Sequence, residues 1–413
     1  MGKLAEEKVF KDPVHKYIYV QDRIVWDLIN TPEFQRLRRI RQLGTTYLTF
    51  HGAEHSRFSH SMGVYEIARN IISRFERNGY ARFTREEKLL CLCAALLHDV
   101  GHAPFSHSVE PFLADRHEVW SCRIILEDTA IHRLLKEVSD DFPQQVAGVL
   151  RKTHPDKLAV SLISSQLDAD RMDYLLRDAY FTGVNYGTFE LERILRVMRP
   201  HGGRIVVKES GMHAVEDYLM SRYQMYWQVY FHPVTRGSEI LLRNVLRRAA
   251  DLHRQGYAFR FLPDPLPALF EGRMDVESYL GLDESFLQMT FMRWIEERDR
   301  VLSDLSSRFI NRRLFKYHPI RDGQEDEAEQ MRERAAAAGW DPDYYVEVDR
   351  VHNQPYDVYR PGGEEGSMPI LLADDAGNLA EISTRSHIVR SISETAQREQ
   401  HLYYPGELVS RGT

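Results

Sequence analysis

The apolar run Leu89-Leu90-Cys91-Leu92-Cys93-Ala94-Ala95-Leu96-Leu97 stops at His98-Asp99, and this junction constrains the fold more than any other feature. A helix that is apolar all round needs cover on every side, so it has to lie inside a larger helical body. The histidine and carboxylate that close it are then delivered from a buried element into a cavity. Such groups are costly there unless they are paired or bound to a metal. The start of the helix is marked too, because Thr84-Arg85-Glu86-Glu87 is a capping box.

The remainder of the first 255 residues reads the same way. Ile24, Leu28, Ile29, Phe34, Leu37 and Ile40 recur at helical spacing from Asp22 to about Leu43, with a break at Thr31-Pro32. Further helices are predicted over Ser59–Arg77 and over 117–126, 143–152, 157–180, 188–198 and 213–254. Residues 8 to 20 alternate and carry Asp12-Pro13, a strand or turn, and Gly203-Arg204-Ile205-Val206-Val207 reads as a strand. Prolines at 263, 265 and 267 mark a connection. Beyond it, helical patterns cover 284–308 and the charged, Ala-rich stretch 321–338. Strands are expected at 344–348 and in a hairpin, 370–373 with 380–382, turned at Asp374-Asp375-Ala376-Gly377-Asn378. The expected class is mostly α: a helical core over 1–257, a helical extension over 258–312 and a smaller C-terminal α+β lobe over 313–413.

At 413 residues and 43% hydrophobic composition the chain can bury a sizeable core of two or three domains. No run approaches the roughly 18 apolar residues of a membrane span, and the first seven residues have no apolar signal-peptide core. Cys91, Cys93 and Cys122 lack the spacing of a zinc knuckle or redox pair and read as packing residues in a reducing compartment. A cytoplasmic protein with no membrane partner is expected. The net charge of -7 argues against extended nucleic-acid binding.

His60, His98, Asp99 and Asp170 offer imidazole nitrogens and carboxylate oxygens, the donor set for Mn, Fe, Co, Ni, Zn or Mg. Four such ligands leave room for water and a phosphate oxygen. His107 and Glu110 lie three residues apart, so on a helical turn they would share a face. Such a pair suits proton abstraction from water, and it is also what a surface His–Glu pair looks like. Asp170, Tyr174 and Asp178 recur every four residues with Arg171 beside them. Arg222, Tyr226 and Tyr230 repeat that step, which on an Arg-bearing face points to a wet cleft.

The order His…His-Asp…Asp resembles the HD superfamily of metal-dependent phosphohydrolases, so the helical core is expected to be an HD domain. The flanking text is narrower: Gln35-Arg36-Leu37-Arg38 with Gln42-Leu43-Gly44, Arg57-Phe58-Ser59-His60-Ser61, His98-Asp99-Val100-Gly101-His102 with Pro104-Phe105-Ser106-His107, and Asp170-Arg171-Met172-Asp173-Tyr174. These strings resemble the deoxynucleoside triphosphate triphosphohydrolases, a family that includes the mammalian SAM-and-HD-domain protein and bacterial homologues. The likeness covers roughly residues 8–255.

The resemblance implies a divalent-metal enzyme that splits dNTPs into deoxynucleoside and inorganic triphosphate. It makes His107, Glu110 and His117 catalytic, with His117 suited to protonating the leaving 5′ oxygen; on residues alone His117 is equally a helix N-terminal residue. It gives Arg57, Arg171 and Arg222 to the phosphates with His102 close by, and Gln42 and Asp178 to the sugar 3′-hydroxyl. Leu43 and Tyr174 would fill the space a ribose 2′-hydroxyl needs, and Tyr226 and Tyr230 would lie near sugar and base. Arg171 stands where many relatives have Lys. Regulated members are homotetramers with allosteric nucleotide activators bound between subunits. The matching positions here are Lys8, Val9, Asn30, Gln35 and Arg38. Asn30 departs from the family's Asp, and its amide accepts only through the carbonyl. Another HD phosphohydrolase (a nucleotidase, a cyclic-dinucleotide phosphodiesterase or a guanosine tetraphosphate hydrolase) and a nucleotide-sensing scaffold are the competing readings.

Overall fold

The computed structural model describes residues 2–321, 325–351, 369–394 and 399–409. Its centre is the Arg85–Leu97 helix, whose residues from Leu89 onward are all buried, as an all-round apolar helix requires. Thr84 and Glu87 cap it reciprocally. The Arg57–Arg77 helix packs on it and on the Ala169–Thr182 helix. Helices His117–Leu126, Phe142–Leu150 and Lys157–Ile163 close the layer behind. The chain is mostly α, as the sequence predicts, and none of the described helices is long and apolar enough to cross a membrane.

Several boundaries differ from expectation, each for a local reason. The predicted 157–180 helix is two helices, because Asp168 turns back to accept from the Ser165 and Arg171 amides and starts a new one. The predicted 213–254 helix ends at Met225, passes through a wide π turn at Tyr226–Tyr230 and restarts at Pro233. Proline can begin a helix but cannot continue one through its missing N–H. Residues 8–20 belong to a full hairpin, Lys3–Asp12 paired with Lys16–Asp22. Tyr344 and Tyr345 lie in a short helix, Pro342–Tyr345, capped by Asp341, and the strand begins at Glu347. The charged helix runs Glu325–Ala337; residues 322–324 of its predicted span lie outside the described residues.

The segments after 313 are tied into the body. Lys316–Ile320, Glu399–Tyr404 and Glu347–Val351 form one small sheet over a cluster of Ile320, Met331, Ala335, Val346 and Leu402. The predicted hairpin, Leu371–Ala373 with Leu379–Glu381, instead joins the Met198–His201/Arg204–Lys208 hairpin through parallel pairing of Val207 with Leu372. Phe315, Tyr345, Leu372 and Tyr403 belong to the main core. Cys91, Cys93 and Cys122 are buried free thiols.

Candidate metal and phosphate site

His60 lies in the first turn of the Arg57–Arg77 helix, whose cap is Ser56; His98 follows the buried Arg85–Leu97 helix; Asp170 opens the Ala169–Thr182 helix. One donor atom from each lies within 4.8 Å of the other two. His60 Nε2 is 3.0 Å from Asp170 Oδ1 and 3.3 Å from His98 Nε2. Two imidazoles and a carboxylate converging this closely fit a divalent cation. Asp170 is 30% exposed while His60 and His98 are nearly buried, so the cluster opens towards solvent on the Asp170 side. Asp99, the fourth expected ligand, borders the group, its oxygens 3.3 Å from His98 and 3.8 Å from His60. It is engaged by Arg57 at 2.5 Å and by His102 at 3.2 Å.

Both ring nitrogens of His60 meet carboxylates, Nδ1 reaching Asp173 Oδ2 at 2.8 Å. Burial alone would lower its pKa, but the hydrogen bonds to Asp170 and Asp173 outweigh that and hold it raised to about 10. His98 is raised as well, burial again opposing and Asp99 and Asp170 prevailing. A group with a raised folded-state pKa adds stability that is complete below its unfolded value, ~6.5 for imidazole, and is lost as pH climbs towards the folded value. The metal-free protein is therefore expected to lose Tm between pH 7 and 9. Because a cation must displace the Nε2 proton, the rise in Tm on adding Mn2+ should grow across the same interval. Melting curves with and without Mn2+ check this, and a metal-induced shift that shrinks with rising pH would contradict it.

The loop after Asp99 is held from three sides. Arg36 donates to the carbonyls of His102 and Leu282. Tyr279, stacked on Trp120 at 3.9 Å, donates to the Gly101 carbonyl. Ser121 bridges, receiving from the Gly101 N–H and donating to the His98 carbonyl. Gly101 is required by this packing: a Cβ there would stand 2.1 Å from the Ser121 amide nitrogen. Gly101→Ala should therefore cost at least about 1–3 kcal/mol of stability, measurable by urea unfolding.

His107 and Glu110 do not share an α-helical turn, contrary to expectation. Phe105 and Ser106 adopt left-handed backbone (φ 52° and 39°), and the chain continues as two short 3₁₀ segments, Ser106–Ser108 and Glu110–Phe112. That conformation is costly for residues with a Cβ, and here it brings Ser106 Oγ to 2.8 Å from Arg57. The side chain of His107 lies outside the described residues. Glu110 Oε1 meets His117 Nδ1 at 2.9 Å. The His117 ring stacks on His102 with centroids 3.8 Å apart. His102 is held well below the usual imidazole range, first by burial and then by the Arg57 and His117 charges, so it is neutral.

Next to Asp170, Arg171 donates to Asp168, and Arg222 donates to Gln166, both at 2.6 Å. Both lie near Tyr174, whose hydroxyl burial raises to about 12 against their opposing charges. Asp178 accepts from Tyr230 at 2.8 Å and meets His55 at 2.7 Å. Tyr226 and Tyr230 are buried in the π turn rather than on a straight helical stripe, Tyr226 stacking on Phe231. The Gln42 side-chain oxygen is buried with no hydrogen-bond partner among the described residues, and Leu43 is buried beside it in sequence. The residues matched to the activator positions lie at the surface or partly buried. Lys8 and Val9 are on the N-terminal hairpin, Asn30 ends the Arg23–Ile29 helix, Gln35 accepts from Arg38, and Arg38 stacks on Phe58.

Asp173, His15, Asp12 and Arg177 behind His60, and Asp168, Gln166 and His55 beside the arginines and Asp178, had no site role in the sequence reading. Only Asp173 carried a signal, standing three residues after Asp170 in the same motif.

A family model described as HD domain matches residues 57–178, and one described as HD associated region matches residues 189–260. The uncharacterized protein YwfO of Bacillus subtilis is 56% identical over the whole chain and 95% of its own length. A Dictyostelium discoideum protein named deoxynucleoside triphosphate triphosphohydrolase SAMHD1 homolog is 28% identical over 75% of this chain, which spans 60% of that protein. Among solved structures, a Bacteroides thetaiotaomicron phosphohydrolase superposes with a TM-score of 0.86 at 27% identity, covering 97% of this chain and all of that one.

Proposed function

The chain belongs to the HD-domain family of dNTPase-like phosphohydrolases, and from that premise we propose that it hydrolyses dNTPs to a deoxynucleoside and inorganic triphosphate. The observation that carries the reading is the His60–His98–Asp170 cluster, with Arg57 engaging the neighbouring Asp99 and with Arg171 and Arg222 near Tyr174. A triphosphate brings several negative charges, and transfer at phosphorus depends on neutralising them in place. A divalent cation held by the cluster would act as a Lewis acid on an α-phosphate oxygen.

The chain's own groups supply the rest. Arg57, Arg171 and Arg222 hold the phosphates. His117, oriented by Glu110, gives a proton to the departing 5′ oxygen, and His107 receives one from the attacking water. Neutral His102 packs against His117 and accepts no second charge. Gln42 and Asp178 take the 3′-hydroxyl, while Leu43 and Tyr174 close the space beside C2′; Tyr226 and Tyr230 border the sugar and base. A homotetramer activated by a nucleotide at Lys8, Val9, Asn30, Gln35 and Arg38 belongs to the same proposal. A panel of four dNTPs and four NTPs, each with Mn2+ or Mg2+, tests it by chromatography of products. Inorganic triphosphate from dNTPs alone is the expected result. Equal turnover of NTPs, or release of orthophosphate, would favour another HD phosphohydrolase.

A further inference from the structure

The hairpin tip near the N-terminus reaches the back of the metal cluster. His15 Nε2 is 2.6 Å from Asp173 Oδ1, and Asp173 Oδ2 is 2.8 Å from His60 Nδ1. Arg177 closes the same carboxylate from the side, Nε to Oδ2 at 2.8 Å and Nη2 to Oδ1 at 2.9 Å. Its remaining nitrogen donates to Asp12 at 2.8 Å. Asp12 also accepts from the Val14 and His15 amides, so the residue that holds Arg177 shapes the turn that projects His15. The His15 side chain is 6% exposed, and Asp173 and Arg177 are fully buried.

We propose that His15 and Asp173 are positioning residues for the metal ligand His60, so that the N-terminal hairpin is a working part of the metal site. The proposal rests on the reading of His60, His98 and Asp170 as a cation site. A ligating imidazole offers a lone pair on one nitrogen only if the other carries the proton, and a partner on that other nitrogen fixes both tautomer and ring plane. Asp173 is such a partner, but a carboxylate free to rotate would fix nothing. Its two oxygens are each held twice, Oδ1 by His15 and Arg177 and Oδ2 by His60 and Arg177. Three elements meet at this one group: the hairpin, the Arg57–Arg77 helix and the Ala169–Thr182 helix. Their relative placement therefore sets where His60 Nε2 points. The hairpin also carries Lys8 and Val9, so whatever shifts it shifts the support of His60.

A plain structural staple would make a different prediction from a positioning contact, and Co2+ separates them. Co2+ is titrated into the full-length protein well below its Tm, with affinity from calorimetry and coordination from the visible absorption spectrum. His15→Phe keeps ring bulk but removes the donor to Asp173; His15→Gln places an amide donor near the position of Nε2. Loss of an outer partner weakens metal binding by about 10–100-fold. His15→Phe and Asp173→Asn are expected to show that loss and an altered spectrum, with His15→Gln within about threefold of wild type. If Asp173→Asn does not fold, the two His15 variants carry the test. His15→Phe with wild-type affinity and spectrum, whatever its Tm, would overturn the proposal. Wild-type protein that takes up no Co2+ would contradict the cation reading itself, and the proposal would fall with it.

Discussion

Asp170→Asn is expected to lower kcat for metal-dependent dNTP hydrolysis by about a thousandfold or more, corresponding to roughly 4 kcal/mol of lost transition-state stabilisation. Asparagine keeps the shape of aspartate, but it brings neither the negative charge nor the second carboxylate oxygen a hard cation requires. Asp170 is the most exposed member of the cluster and its contacts are with His60 and His98. Little packing is therefore disturbed, but the carboxylate's hold on His60 and His98 is lost, so the metal-free variant should fold and melt below wild type at pH 7. Steady-state kinetics with Mn2+ and a melting curve together make the test. A variant retaining more than a tenth of wild-type kcat would contradict the assignment of Asp170 to the metal.

Arg177→Met should cost about 3–5 kcal/mol of folding stability, the scale seen when one partner of a buried ion pair is removed. Arg177 is fully buried and donates to Asp173 and Asp12. Methionine would fill much of the volume but leave both carboxylates without their cation in the interior. The space there is already minimal: at Gly63 a Cβ would fall 1.8 Å from Asp173 Oδ1 and 2.5 Å from Arg177 Nη2. The Arg57–Arg77 helix thus presents bare backbone to the ion pair, and Gly63→Ala would push directly on it. Urea unfolding of Arg177→Met measures the loss; a change below 1 kcal/mol would show that the pair adds little.

What was legible in the sequence followed from local chemistry. The burial of the Leu89–Leu97 run, the capping box at Thr84 and the start of a helix at His117 need only a few neighbouring residues. His60, His98 and Asp170 were legible because few other side chains suit a hard or borderline cation. What was not legible depends on distant partners. His15 meets Asp173 across 158 positions, and no periodicity near Asp12-Pro13 encodes that contact. Glu110 also meets His117, seven positions on, and left-handed backbone at Phe105 and Ser106 replaces the expected α-helical turn with 3₁₀ segments. The π turn at Tyr226–Tyr230 likewise answers to Pro233 and to packing against Phe231 rather than to a four-residue repeat. The hairpin at Leu371–Glu381 was readable as a hairpin, but its parallel docking beside Val207 was not.

Water attacking the α-phosphorus at this site would break the bond to the 5′ oxygen and leave its own oxygen in the triphosphate. Turnover of a dNTP by the Mn2+-supplemented protein in ¹⁸O-water, followed by mass spectrometry of both products, tests it most directly. One ¹⁸O atom in the inorganic triphosphate and none in the deoxynucleoside is the predicted result. Label in the deoxynucleoside, or products cut at the β- or γ-phosphorus, would contradict it.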